Sequence, residues 1–215
     1  MTRSPLALGL IACLPLLSGC VTAVVAGVGA VGVTAAQERT TGEALDDATA
    51  SNEIKAKLLS IEGMGEVDVE VAGGLVLLSG RVDTPELKFE AENFAWTSAN
   101  ADDVANEIKV EPPGGLGQNA SDELISARVR SRLIGSSSVQ SLNFNVETYD
   151  GVVYLMGVAR SPEELQKAAE EASYAGGVKQ VVSYIRLRNE RGQIVPYQPE
   201  SAPTETNDLL GGFGN

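Results

Sequence analysis

Gly151-Val152-Val153-Tyr154-Leu155-Met156-Gly157 repeats, at a distance of 77 residues, the earlier run Gly74-Leu75-Val76-Leu77-Leu78-Ser79-Gly80. The match extends without a gap in both directions. Val67 to Val71 aligns with Phe144 to Thr148, Thr84-Pro85-Glu86 with Ser161-Pro162-Glu163, and Val104 to Val110 with Val181 to Leu187. Further upstream, Ile54 to Leu59 matches Val129 to Ile134 at an offset of 75, so one loop differs by two residues. Self-similarity over this length means two copies of one small domain.

Each copy spells helix, strand, strand, helix, strand. In the second, Ile125, Val129 and Leu133 form the i, i+4, i+8 apolar row of an amphipathic helix over 121–134. Strands follow at 143–148 and 152–158, joined by Tyr149-Asp150-Gly151, where Asp-Gly is a hairpin signal. Ser161 is placed as the next helix N-cap, Pro162 as its first residue and Glu164 as the partner in a capping box. Gly176-Gly177 ends that helix, and 178–187 reads as the last strand. In the first copy Gly73-Gly74 makes the hairpin turn and Thr84-Pro85 starts the second helix. The expected fold class is α+β: two tandem αββαβ domains, each a three-stranded sheet covered by two helices.

This order resembles the BON domain, whose central motif is similar to Gly151 through Ala159 followed by Ser161-Pro162-Glu163-Glu164, and again to Gly177-Val178-Lys179-Gln180-Val181-Val182-Ser183. The resemblance places a first BON domain at 46–110 and a second at 121–188. It implies a non-enzymatic envelope protein that binds anionic phospholipid and supports outer-membrane integrity. Its further partners would be envelope-assembly or division proteins.

The N-terminus fits that setting. Residues 1–19 have the layout of a secretory signal, with Arg3 before an apolar run from Leu6 to Leu17. Leu17-Ser18-Gly19-Cys20 is similar to a bacterial lipobox, which marks Cys20 for acylation by diacylglycerol and palmitate. Several acyl chains on one cysteine anchor a protein stably, at about 0.8 kcal/mol per buried CH₂. Val21, where aspartate would stand for retention in the inner membrane, favours the outer membrane by resemblance to enteric sorting rules. Residues 20–45 are then a Gly/Ala/Val-rich tether, 111–120 a linker, and 189–215 a flexible acidic tail that ends in Leu209-Leu210-Gly211-Gly212-Phe213. Gly27-Val28-Gly29-Ala30-Val31-Gly32 matches G-x-G-x-x-G literally, but no second strand follows before Asp46 and Asp47, so it is no dinucleotide site.

The chain has 215 residues, no histidine and two cysteines, Cys13 and Cys20. That excludes His-based triads, His-ligated metal and a disulfide framework, and no cofactor, metal or small-molecule substrate is expected. The net charge of −13 argues against nucleic acid. It is unevenly spread: residues 46–110 carry −9 and the tail −3, while residues 121–188 are neutral. Within the neutral copy, Leu124, Arg128 and Arg132 form a second i, i+4, i+8 row beside the core row. A leucine that inserts while guanidiniums pair with phosphates is the expected phospholipid site. Arg130 points to the other side and joins only if the domain tilts. The family usually carries an aromatic where this chain has Leu124. Phe89 and Trp96, at i, i+7, are expected to face the first core. Glu163-Glu164 and Glu170-Glu171 are read as a solvated helix face, and no nucleophile–base pair is assembled anywhere.

Overall fold

A computed structural model describes the backbone of residues 38–112 and 116–198, and their side chains except at 116–118. The signal, Cys13, Cys20, the glycine-rich run at 27–32 and the end of the tail lie outside the described residues.

The first domain runs α1 (Thr41–Leu58), β1 (Val67–Ala72), β2 (Leu75–Val82), α2 (Pro85–Trp96), β3 (Asp103–Asn106) and β4 (Lys109–Val110). The second runs α3 (Leu116–Gly135), a 3-10 turn at Ser141–Asn143, β5 (Phe144–Tyr149), β6 (Val152–Ala159), α4 (Pro162–Ser173), β7 (Gln180–Arg188) and β8 (Ile194–Pro196). In each copy the middle strand takes its hairpin partner antiparallel and the strand after the second helix parallel. Two tandem repeats of mixed α and β structure, each with two helices on a small sheet, follow the sequence expectation.

The helix rows pack as their spacing requires. Ile125, Val129 and Leu133 are buried against Phe144, Val146, Val153, Leu155 and Ile185. Ile54 and Leu58 of α1 do the same against Val69, Val76 and Leu78. Both second helices start with a capped proline: Thr84 Oγ1 accepts from Leu87 N, and Ser161 Oγ from Glu164 N. The other half of the expected box is absent. The Glu164 carboxylate accepts from the N–H of Gln140 and Arg160 and from the Arg160 guanidinium, so Glu164 is buried and not part of a solvated face.

Several boundaries move. The tether assigned to 20–45 already contains the start of α1, because Thr40 and Glu43 form a reciprocal capping box and Arg39 pairs with Asp47 at 2.9 Å. The linker assigned to 111–120 is helical from Leu116, since only Gly117 resists a helix there. The strand expected at 104–110 breaks at Glu107-Ile108, where Asn106 Oδ1 accepts from Ile108 N. The tail assigned to 189–215 begins as structure. Asn189 Oδ1 accepts from Arg191 N and Gln193 N, turning the chain so that β8 pairs with β7 as a fourth strand.

Phe89 and Trp96 are not in the core. Phe89 is 66% exposed and Trp96 49%, while Ala91 and Ala95 are fully buried. Residues 89 and 91 are about 200° apart on a helix, so the face that Phe89 shares with Trp96 is the outer one. Small alanines set α2 close on its sheet, and the aromatics point away.

The two sheets meet face to face. Leu75, Leu77 and Ala72 of the first pack on Tyr154 and Met156 of the second. Around this apolar centre the contacts follow a pseudo-twofold axis, so that equivalent residues, 77 apart, touch each other or exchange roles. Tyr184 donates to Glu107, its own counterpart. Lys109 reaches the hairpin turn of the second domain at Asp150 (2.7 Å), and its counterpart Arg186 reaches that of the first at the Gly73 carbonyl (3.3 Å). Arg186 also pairs with Asp103, and Arg81 with Asp150 and the Tyr149 hydroxyl. This is the isologous geometry of a homodimer, written into one chain.

Candidate lipid-facing site on the second domain

The site is assembled from α3 and the C-terminal end of α4, which run antiparallel. Arg128 Nη1 donates to the Gly176 carbonyl at 2.8 Å; one turn on, Arg132 Nε and Nη2 donate to the Glu171 carbonyl and carboxylate at 2.9 and 2.8 Å. Leu124 is 51% exposed, so it neither packs under the sheet edge nor enters the seam. Leu124, Arg128 and Arg132 therefore share one solvent-facing stripe about 12 Å long. Arg130 leaves it, as its spacing requires: its guanidinium donates to the Val146 carbonyl at 2.7 Å and approaches Glu123 at 3.4 Å.

Tyr174 was not legible as part of this face. It follows the last residue of α4, is 60% exposed, and lies under the Arg132 guanidinium, 5.4 Å from ring centroid to Cζ. A tyrosine beside arginine on an outer face suits a membrane interface, with an apolar body and a polar tip. Its only sequence signal was its place just before Ala175-Gly176-Gly177, outside any periodic row. Lys167, and then Arg132, hold the neighbouring Glu171 carboxyl below the usual carboxylate range.

Two further residues that sequence reasoning passed over hold the domains in shape. Asp122 accepts from the backbone N–H groups of Asp150 and Gly151 at 2.8 and 2.9 Å. Asp47 accepts from those of Gly73 and Gly74 at the same two distances. Each clamps its own hairpin turn from the first helix, and both are buried. Their separation of 75 residues, equal to the offset of the helix rows, was the available signal.

The repeat supplies an internal control for the Leu124, Arg128 and Arg132 row. At the same offset of 75, the first copy carries Thr49, Glu53 and Lys57 in place of Leu124, Arg128 and Arg132. Glu53 accepts from Ser98 Oγ, and Lys57 donates to Thr97 Oγ1. The same fold thus stands without the leucine or either arginine, so the row is not a requirement of packing. Conversely, Phe89 and Trp96 of the first copy correspond to Gln166 and Ser173 of the second. Each copy thus exposes apolar side chains that the other lacks.

The family model for the BON domain matches residues 46–112 and 121–189. An uncharacterized protein of Anaplasma centrale is 36% identical over 148 residues, covering 68% of this chain and 98% of that one. The outer membrane lipoprotein DolP of Haemophilus influenzae is 30% identical over 173 residues, covering 79% and 89%. A 21 kDa hemolysin of Actinobacillus pleuropneumoniae is 32% identical over 143 residues, covering 66% and 72%. With two copies of the αββαβ unit in sequence and structure and a family model that matches both, the chain belongs to the BON domain family.

Proposed function

We propose that this is a lipid-anchored protein of the outer membrane, facing the periplasm, that binds anionic phospholipid through its second BON domain and supports membrane integrity without catalysing a reaction. The observation that carries the reading is the solvent-facing row Leu124, Arg128 and Arg132, replaced in the first copy by Thr49, Glu53 and Lys57. A guanidinium has five N–H donors, and Arg128 makes one bond and Arg132 two within the domain, which leaves donors for phosphate oxygens. The name of the Haemophilus relative supports the location, and the lipobox-like run ending in Cys20 supports the anchor. The 18 residues from Cys20 to Glu38 reach at most about 60 Å when extended, ample to lay this face on the bilayer. The buried carboxylates Asp47, Asp122 and Glu164 are each taken up by backbone N–H groups, consistent with a non-enzymatic role.

Vesicle flotation tests this with the chain from residue 21, which lacks the acylated cysteine. Each basic residue near an anionic surface contributes about 1 kcal/mol, so Arg128→Glu with Arg132→Glu, which also adds two repelled carboxylates, should weaken binding to phosphatidylglycerol vesicles by at least about thirty-fold. No binding at low salt, or the same affinity in the double variant, would overturn the site.

A second reading rests on its own observation. Phe89 and Trp96 stand exposed on the outer face of α2 beside the exposed Glu86 and Glu90, in the domain that carries −9. Such a face repels an anionic membrane and suits a basic protein partner, an envelope-assembly or division protein that the first repeat would dock. Pull-down from detergent-solubilised envelopes separates the two readings. Phe89→Ala with Trp96→Ala should lose the partner and keep vesicle binding, whereas loss of vesicle binding alone would reject the docking role.

A further inference from the structure

The symmetry of the pseudo-twofold seam fails at a cluster of acids. Glu70 on β1 and Glu147 on β5 are counterparts, and so are Asp68 and Asn145. On one side of the axis, Asn145 Nδ2 donates to Glu70 Oε2 at 3.4 Å, a contact between an amide and a carboxylate. On the other side, Glu147 meets Asp68, and no amide is available. The carboxylate oxygens of Asp68, Glu70 and Glu147 come within 4.8 Å of one another, brought there by opposing strands of two domains. A carboxyl group that close to two others ionises less readily than it would alone, because like charges repel.

We propose that the Glu147–Asp68 contact is a proton-dependent latch between the two BON domains, closed while one proton is held there and loosened when it leaves. The groups that face Glu147 come from every neighbouring element. Asp68 and Glu70 lie on β1, and Asp68 is also paired with Lys55 of α1 at 3.0 Å. Arg130 and Glu123 lie on α3, where the guanidinium is partly taken up by the Val146 carbonyl and by Glu123. Among the described residues the nearby cations, Lys55 and Arg130, are therefore already engaged, while three acids converge. A cleft of about 340 Å³ bounded by Glu66, Asp68, Asp122, Glu123, Glu147 and Tyr149 gives the contact a route to solvent.

Burial, then the Asp68 and Glu70 carboxylates, push the Glu147 carboxyl from 4.5 up to about 8. Burial, then Asp68, raises Glu70 as well. The sign follows from linkage. Between pH 4.5 and 8 an unfolded or opened chain releases the proton and the closed seam keeps it, so closure is favoured least above pH 8. Loosening uncovers the apolar centre at Leu77, Tyr154 and Met156, which gives the latch a consequence beyond its own contact.

Hydrogen exchange of the full chain in detergent micelles, in chelating buffer from pH 5.5 to 9.5 and corrected for the intrinsic rate, reads the latch directly. Protection of 67–72 and 144–149 should fall in a step of about ten-fold per pH unit up to pH 8 and level off above it. Glu147→Gln should flatten the step. Asp68→Asn, which restores the amide found on the symmetric side, should flatten it as well and serves if the first variant does not fold. Flat protection in the parent chain overturns the proposal. So does a step that survives both substitutions, or one removed by Glu70→Gln alone.

Discussion

Gly157→Ala should destabilise the second domain by about 4 kcal/mol or more, an effect at the far end of what single substitutions do. At the register pair Phe144↔Gly157 the glycine holds φ +134, where an L side chain is strained. A Cβ built there would lie 1.9 Å from the Asn143 carbonyl oxygen, which is backbone and cannot rotate away. Gly80 repeats the arrangement against the Glu66 carbonyl, with φ +106 and the same 1.9 Å. Strain and overpacking each cost about 1–3 kcal/mol, and here they add. Gly176→Ala is the control, because nothing lies within 4 Å of its Cβ position. Urea unfolding of the three proteins should show Gly157→Ala and Gly80→Ala crippled and Gly176→Ala within about 0.5 kcal/mol of the parent. A loss below about 1 kcal/mol at Gly157 would mean that β5 can shift its entry, contrary to the packing described.

The repeated glycine was also what made the fold readable. A glycine two residues before the end of the second strand in both copies, 77 residues apart, ties the strand register to the helix that follows. The core rows were legible because burial on α1 and α3 is carried by large residues at i, i+4 and i+8. On α2 the same reasoning fails: an i, i+7 aromatic pair identifies a face, and not which side it is on. Alanines 91 and 95 filled the core side with Leu87 and Phe94 at its margin, so Phe89 and Trp96 were left outside. The seam had a signal that went unread. Every position of β2 is buried, and an apolar run without alternation means that both faces of the sheet are covered. Glu147 had none, since it alternates correctly along β5 and looks like any solvent-facing strand residue. Its setting depends on which residue the other repeat places opposite, and that is a fact of tertiary structure.

The two copies have kept their cores and diverged on their surfaces. One retains a Leu124/Arg128/Arg132 row with Tyr174 beside it, and the other Phe89 and Trp96 among acids. Face-to-face packing of the sheets uses up the one surface that both copies share and turns the helices outward. A duplicated domain arranged this way presents two chemically different faces on one molecule, and the pairing of Arg188 with Glu43 at 2.8 Å adds a tie where α1 begins. The contrast explains how a chain of net charge −13 can carry a face suited to an anionic surface: the acidity sits largely on the other copy.

Asp122→Ala should cost about 3 kcal/mol, because it leaves two backbone N–H groups of a buried turn without acceptors, each worth about 1–3 kcal/mol to leave unmade. Asp122→Asn keeps one acceptor and turns an amide toward the second N–H, so its loss should be about half. The consequence reaches the seam. Asp150 is held at its backbone by Asp122 and at its carboxylate by Arg81 and Lys109, each at 2.7 Å. Burial works against the Asp150 carboxylate, but Lys109 and Arg81 outweigh it and hold the carboxyl below the usual range. Freeing the backbone lets the carboxylate drift from both cations, so the turn and the seam should fail together. Arg81→Ala added to Asp122→Ala should then cost less than the sum of the two single losses, by about 1 kcal/mol in a double-mutant cycle. Strict additivity would mean that the turn keeps its shape without Asp122, and that the clamp serves its own domain alone.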